Sequence, residues 1–314
     1  MTALVHKSPS SQLTNSHGCN KQCVVTGAVN GTVKIWKVQE NALETLQEIQ
    51  NADCGSIFSV GVNPQGSHIF AMFTSGSIKM WSTDGVLHGT IQTSPLDHCN
   101  GVFIDDSRKI VTGTHDGKIN FYYTGNCGLA KSITTTHGFI SSVAFSPDSQ
   151  LLAAGFESGN VVIYRHRSGA IIKDCNLNGK KVNCISFSND SKEFISCTGI
   201  GVTIYGVEQN RLLHFIPAHL QPILSCSLSN NGKFFLTCSE DNSVNVWDKE
   251  ECVSKATIVA HSDSVWGALY LMCDKKIVTV SEDKTVKMFK LKKTSQSKFV
   301  SWAVPIVNFI KRSF

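Results

Sequence analysis

Residues 239–248 read SEDNSVNVWD and residues 281–290 read SEDKTVKMFK, the same outline 42 residues further on. Each begins Ser-Glu-Asp, alternates polar and apolar side chains, and closes near an aromatic residue. Near-duplication at a fixed distance is the mark of a repeat architecture, so the outline is followed along the chain before any motif is interpreted. It recurs as GTVKIW ending at Trp36, GSIKMW at Trp81, GKINFY at Tyr122, GNVVIY at Tyr164 and GVTIY at Tyr205. With Trp247 and Phe289 the aromatic returns at steps of 45, 41, 42, 41, 42 and 42 residues. There are seven units.

Within each unit an earlier apolar segment (SSVAFSPD, VNCISFSND, LSCSLSNN) is followed by a turn and a second segment such as KIVTGT or KFFLTCS. Alternation with period two predicts strands, and the Asp-Gly, Asn-Gly and Ser-Gly pairs between them predict hairpin turns. Three or four short strands cannot bury both faces of their own sheet, so the units must pack on one another. A period of about 40–45 residues resembles the blade of a WD40 propeller. The expected fold is therefore all-β, a seven-bladed WD40 β-propeller over residues 1–290, with blade one and the closing strand weakly defined in residues 1–22. Residues 291–314 form a basic and apolar C-terminal extension.

Composition agrees with a globular chain, since 41% of the 314 residues are hydrophobic and 17% charged. The formal charge is +5, but six basic residues (Lys290, Lys292, Lys293, Lys298, Lys311, Arg312) follow Phe289 with no acid among them. The body keeps 23 basic against 24 acidic residues. That balance gives no broad electrostatic footprint for nucleic acid, and no direct specific nucleic-acid binding is expected. Twelve cysteines accompany a start, MTALVHKSPSSQ, that lacks the apolar run of a signal peptide, which points to a reducing compartment. Cys184 and Cys226 occupy matching repeat positions, as do Cys197 and Cys238, and so read as small core residues. Cys19 and Cys23 have no second pair at zinc-like spacing, so neither a metal nor a cofactor is expected.

Repeat six holds His219, Thr237, Asp241 and Trp247, which resemble the buried hydrogen-bond relay of WD40 blades. Repeat seven holds His261, Thr279 and Asp283 but ends in Phe289, which has no N–H to donate. Recurrence of the trio at blade spacing favours a structural role over a catalytic one. Repeat three keeps Thr112, Asp116 and Tyr122, whereas repeat four has Ala154 and Ser158. With no phosphate-binding glycine loop, no GxSxG elbow and no metal cluster, the chain is not expected to be an enzyme.

The blades TGTHDGKINFY, RLLHFIPAHLQPILSCSLSNNGKFFLTCSEDNSVNVWD and HSDSVWGALYLMCDKKIVTVSEDKTVKMF resemble those of the WD-repeat subunit of the superkiller (Ski) complex, also found in the Paf transcription-elongation complex. The similarity runs from about Cys23 to Phe289. This resemblance implies a non-catalytic scaffold, cytoplasmic and nuclear. Its partners would be a tetratricopeptide-repeat subunit and an RNA helicase that feed messenger RNA to the exosome, with Paf-complex subunits in the nucleus. The alternative is a WD40 peptide reader or adaptor in chromatin or ubiquitin-ligase assemblies.

Two segments depart from the family. SQLTNSHGCNKQ has one large apolar residue where the closing strand and the inner strand of blade one are expected. FVSWAVPIVNFI, Phe299 to Ile310, has no counterpart; at twelve residues with Pro305 it is too short to span a membrane. It reads as cover for an edge strand or a loose segment, as a partner-binding peptide, or as a lipid-surface anchor.

Residues that begin the inner strands should ring the channel mouth, where folding does not require large apolar side chains. They are Phe58, Phe139, Pro222, Leu224 and Trp266, with Lys181 among them and Trp266 the foremost anchor. By the family resemblance this mouth receives short segments of the tetratricopeptide partner through an aromatic residue and an Arg, which Glu157, Glu240 and Glu282 could pair.

Overall fold

Alternating side chains point to opposite faces of a strand, and a strand covered on both faces by neighbouring blades must be apolar on both. Gly201–Gly206 (GVTIYG) is accordingly buried throughout, whereas the outer strand Ile171–Asn176 (IIKDCN) is mostly exposed. In the computed structural model, residues 5–7, 23–63, 65–93, 98–104, 108–177, 179–209, 211–259, 261–271, 274–291 and 306–309 are described.

The strands form seven four-stranded sheets, each an antiparallel meander of consecutive strands. Blade six shows the pattern: inner strand Ile223–Leu228, then Phe234–Ser239, Ser243–Asp248 and outer strand Val253–Val259. The repeating aromatics Trp36, Trp81, Tyr122, Tyr164, Tyr205, Trp247 and Phe289 all lie buried on third strands. Seven blades thus follow from the seven aromatic-ended repeats.

The core is not one mass but seven apolar clusters, each shared by two neighbouring blades. One of them closes the ring, packing Val24, Trp36, Val38 and Leu43 of blade one against Val278, Val280, Val286 and Met288 of blade seven. At that seam the buried Lys276 of blade seven directs its ammonium to the backbone carbonyls of Gln39, at 3.2 Å, and Glu40 in blade one. Burial lowers its pKa, opposed by the charge of Glu40. A buried ammonium persists only with such acceptors, so this contact fastens the seam.

The strands at the seam come from opposite ends of the chain. Val5–Lys7 pairs with Cys23–Gly27 as the inner strand of blade one. Ile306–Phe309 pairs with Thr285–Lys290 as the outer strand of blade seven, Thr285 facing Phe309 and Met288 facing Ile306. Residues 1–22 are expected to supply both strands; among the described residues, Val5–Lys7 supplies the inner strand of blade one, and the strand closing blade seven is Ile306–Phe309. The run VPIVNFI has the apolar content that the polar SQLTNSHGCNKQ lacks, and it lies in the segment 291–314.

Small residues recur where the second strand of one blade meets the inner strand of the next. A Cβ on Gly155 would stand 2.5 Å from Val182 Cγ1 and 2.8 Å from Val182 Cβ. One and two repeats later the position is held by the fully buried Cys197 and Cys238. The cysteines described are free thiols, with burial raising the pKa of Cys197 and Cys238.

Candidate functional site: the channel mouth

Pairing of the inner strand with the second strand is interrupted by a bulge in blades two to seven, between Ile57 and Ser59, Ile140 and Ser142, Val182 and Cys184, Ile223 and Ser225, and Val265 and Gly267, and at Thr112/Thr114 in blade three. A bulge leaves one residue unpaired and re-aims its side chain. The residues so released are Phe58, Ser141, Asn183, Leu224 and Trp266, with Asn100 at the matching place in blade three. All six line one cavity of about 750 Å³, together with Lys180, Lys181, Pro222 and Glu240.

The six divide by chemistry. Asn100 accepts from the Val143 N–H at 2.7 Å and donates to the Val143 carbonyl at 2.9 Å. Ser141 donates to the Val182 carbonyl at 2.6 Å, and Asn183 to the Ile223 carbonyl at 2.7 Å. These polar residues tie each inner strand to the next across blades three to six. Phe58, Leu224 and Trp266 have no polar group that could make such a tie through a carbonyl acceptor of this kind, except the Trp266 indole, which donates to Glu282 Oε2 at 2.6 Å instead. That bond holds the half-buried ring at the rim, where it also packs against the seam cluster of blades seven and one. The mouth therefore has an apolar arc on blades six, seven and two and a polar arc on blades three to five.

Of the residues expected here, Phe58, Lys181, Pro222, Leu224 and Trp266 are brought together. Phe139 is not in the cavity lining. It sits two residues before Ser141, at the place that Lys181 and Pro222 take in the next two blades, and packs against His115, the ring centres 3.9 Å apart, with the Lys181 ammonium 5.4 Å from its own ring centre. Glu240 lines the cavity, Glu282 is engaged by Trp266, and Glu157 is exposed outside it. Asn100, Ser141 and Asn183 escaped sequence reasoning because small polar residues carry no anchor signal; their place 22 or 23 residues before the repeating aromatics Tyr122, Tyr164 and Tyr205 was the available clue.

Beneath this rim lie the two relays. In blade six His219 Nδ1–H donates to Asp241 at 2.8 Å, since an ionised carboxylate only accepts, and Nε2 then accepts from the Thr237 hydroxyl at 2.7 Å. Thr237 Oγ1 in turn accepts from the Trp247 indole at 3.0 Å. In blade seven His261, Asp283 and Thr279 repeat the first two bonds at 2.8 and 2.7 Å, without the indole. Blade one keeps a fragment not singled out from the sequence, Trp36 Nε1–H to Thr26 Oγ1 at 2.9 Å; the ten-residue Thr–Trp spacing shared with Thr237 and Trp247 was its signal. In blade three Thr112 Oγ1 has no hydrogen-bond partner among the described residues, and Asp116 turns to Thr114 and Lys118.

The blade-seven relay sets a pH dependence. Burial lowers the His261 pKa from its ordinary 6.5, against the pull of Asp283. Burial pushes Asp283 upward, yet hydrogen bonds from Thr285 and His261 outweigh it and bring the carboxyl down to about 2. Both folded values lie below the unfolded ones, so the unfolded chain binds protons first and stability falls on acidification. The His261 contribution is complete above about pH 6.5 and is lost as pH falls towards its folded value. The Asp283 contribution, roughly 2 kcal/mol, is complete above about pH 4 and is lost through about pH 2. Denaturant midpoints at pH 7.5, 5 and 3 should therefore decline in steps, and the first step should vanish in His261→Gln. A midpoint unchanged from pH 7.5 to 3 contradicts the assignment.

Among the described residues no group of three or more His, Cys, Asp or Glu is placed to hold a metal ion, and no helix is long and apolar enough to cross a membrane.

Two family models match the chain. "WD domain, G-beta repeat" matches residues 210–248 and 252–290, and "Anaphase-promoting complex subunit 4 WD40 domain" matches residues 110–190. Among curated proteins, WD repeat-containing protein SL1-17 of Schistosoma mansoni is 26% identical over 277 residues, 86% of this chain and 90% of that protein. SIR4-interacting protein SIF2 of Saccharomyces cerevisiae is 25% identical over 261 residues, and Striatin-4 of Homo sapiens 22% over 270. The matches cover 77% and 76% of this chain but only 47% and 36% of those two longer proteins.

Proposed function

We propose, from the premise that the chain is a WD40-repeat protein, that it is a scaffold without chemistry of its own whose channel mouth seats a short segment of a partner protein. The observation that carries this is the apolar arc. Phe58, Leu224 and Trp266 occupy the bulge positions that elsewhere lace the inner strands, and they turn apolar surface towards a cavity edged by Lys181 and Glu240. Large side chains at such a position contribute more to a bound partner than to the blade itself.

The assembly proposed is a superkiller-type complex that assists 3′-to-5′ messenger RNA decay by the exosome, with a nuclear role in elongation through the Paf complex. The wording of blades three, six and seven supports it. So would the presence of the protein in both cytoplasm and nucleus. A second reading is a WD40 peptide reader or adaptor in chromatin or ubiquitin-ligase assemblies; the relative SIF2 is, by its name, a protein that interacts with another, SIR4.

Gentle affinity purification of the tagged full-length protein, with mass spectrometry, separates the two. A tetratricopeptide-repeat protein and a helicase are expected with the native sequence. Trp266→Ala should weaken their capture about 30-fold, as loss of a central aromatic anchor does. Histones or ubiquitin-ligase subunits in their place would support the second reading. Undiminished capture by the variant would remove the mouth as the binding face.

A further inference from the structure

On the opposite end of the blades from the mouth, blades three and four enclose a groove of about 700 Å³ lined by Arg108, Lys109, Phe121, Tyr123, Ala130, Lys131, His166 and Arg167. Its construction follows from strand register. Phe121 and Tyr123 are two residues apart on the third strand of blade three, Lys118–Tyr123, and so share a face. Each is paired across the ladder with a lysine, Tyr123 with Lys109 on the second strand and Phe121 with Lys131 on the outer strand. The Lys109 ammonium stands 5.6 Å from the Tyr123 ring centre and that of Lys131 stands 5.8 Å from Phe121. Arg108 caps one side from the turn before the second strand, and Arg167 caps the other from the third-to-outer turn of blade four. Both are exposed.

No described carboxylate lines this groove. Asp105 and Asp106, which precede Arg108 in the sequence, lie outside the described residues. A body with balanced total charge has thus concentrated four cations around two aromatic rings, one of them, Tyr123, 44% exposed.

We infer that this groove binds single-stranded nucleic acid, taking RNA as the ligand to test, without sequence preference. Phosphates answer the arginines and lysines, and a base stacks on the exposed part of Tyr123; an acidic peptide would use the charges but leave the aromatic face unanswered. The inference is independent of the mouth, which lies on the other face.

The probe is a fluorescein-labelled twelve-nucleotide oligouridylate, titrated by anisotropy with the full-length protein, and with poly-glutamate as the anionic control. With about three phosphate contacts the affinity should fall roughly 20-fold between 50 and 200 mM salt. Arg108→Glu/Arg167→Glu, two changes at exposed positions, should weaken binding at least tenfold at 50 mM salt. Tyr123→Ala should weaken oligouridylate about fivefold or more while leaving poly-glutamate unchanged. Trp266→Ala should bind RNA as the native protein does, which keeps this test separate from that of the mouth. Circular dichroism melts confirm that each variant is folded. The inference is overturned by absence of binding at 50 mM salt, by indifference to the double charge reversal, or by poly-glutamate binding as tightly as RNA with Tyr123→Ala affecting both alike.

Discussion

Asp283→Ala is expected to lower stability by roughly 3 kcal/mol, because it removes the acceptor of a buried donor rather than a surface contact. The His261 side chain is wholly inaccessible and its ring N–H donates to Asp283 at 2.8 Å. The same carboxylate receives the Thr285 N–H at 2.9 Å and the Thr285 hydroxyl at 2.6 Å. It also accepts the Ser262 N–H at 3.3 Å, so with alanine there four donors lose their acceptor at once, and a protein of this size should melt about 4–5 °C lower. Asp116→Ala is the internal comparison. Its carboxylate is half exposed and serves the exposed Lys118 and the buried Thr114 hydroxyl, which keeps the Lys118 carbonyl at 3.0 Å as an acceptor, so a loss below about 1 kcal/mol is expected. Equal melting shifts for the two variants would show that the buried relay adds nothing beyond an ordinary turn.

Gly155→Val should be at least as damaging, by overpacking. Even a single Cβ meets Val182 Cγ1 at 2.5 Å, Val182 Cβ at 2.8 Å and Ile185 Cδ1 at 3.0 Å. These atoms belong to the inner strand of blade five, inside the cluster that joins it to blade four. Neither side can retreat without opening that joint, so a destabilisation of about 3 kcal/mol or more is expected. Differential scanning calorimetry measures it. Gly155→Val/Val182→Ala, which returns the volume, should recover much of the loss; a double variant less stable than Gly155→Val alone would refute the steric explanation.

The residues that made the fold legible are those constrained locally. The aromatic ending each third strand, the alternating segments and the hairpin glycines recur at one period, and a repeat can be read without knowing what it touches. His219, Thr237, Asp241 and Trp247 were legible for the same reason, their spacing being internal to one blade. Mouth residues were legible only in part. Phe58, Leu224 and Trp266 stood out by size, but Phe139, equally large, packs on the His115 ring and is absent from the cavity lining that Lys181 and Pro222 join from the same position in the next two blades. The polar ties Asn100, Ser141 and Asn183 look in sequence like any small polar residue.

Strand alternation and the period of the aromatics determined the all-β repeat and its seven units, since these express backbone geometry and burial within a few residues of one another. Only the tertiary structure decided how the ring is joined, which residues reach the mouth, and where charge gathers. The inner strand of blade one and the outer strand of blade seven come from segments about 300 residues apart, and Lys276 finds its carbonyl acceptors more than 230 residues away. A near-neutral composition likewise averages over the surface, whereas closure of blades three and four brings Arg108, Lys109, Lys131 and Arg167 to one groove. Such contacts depend on the relative placement of whole blades, which no local pattern encodes.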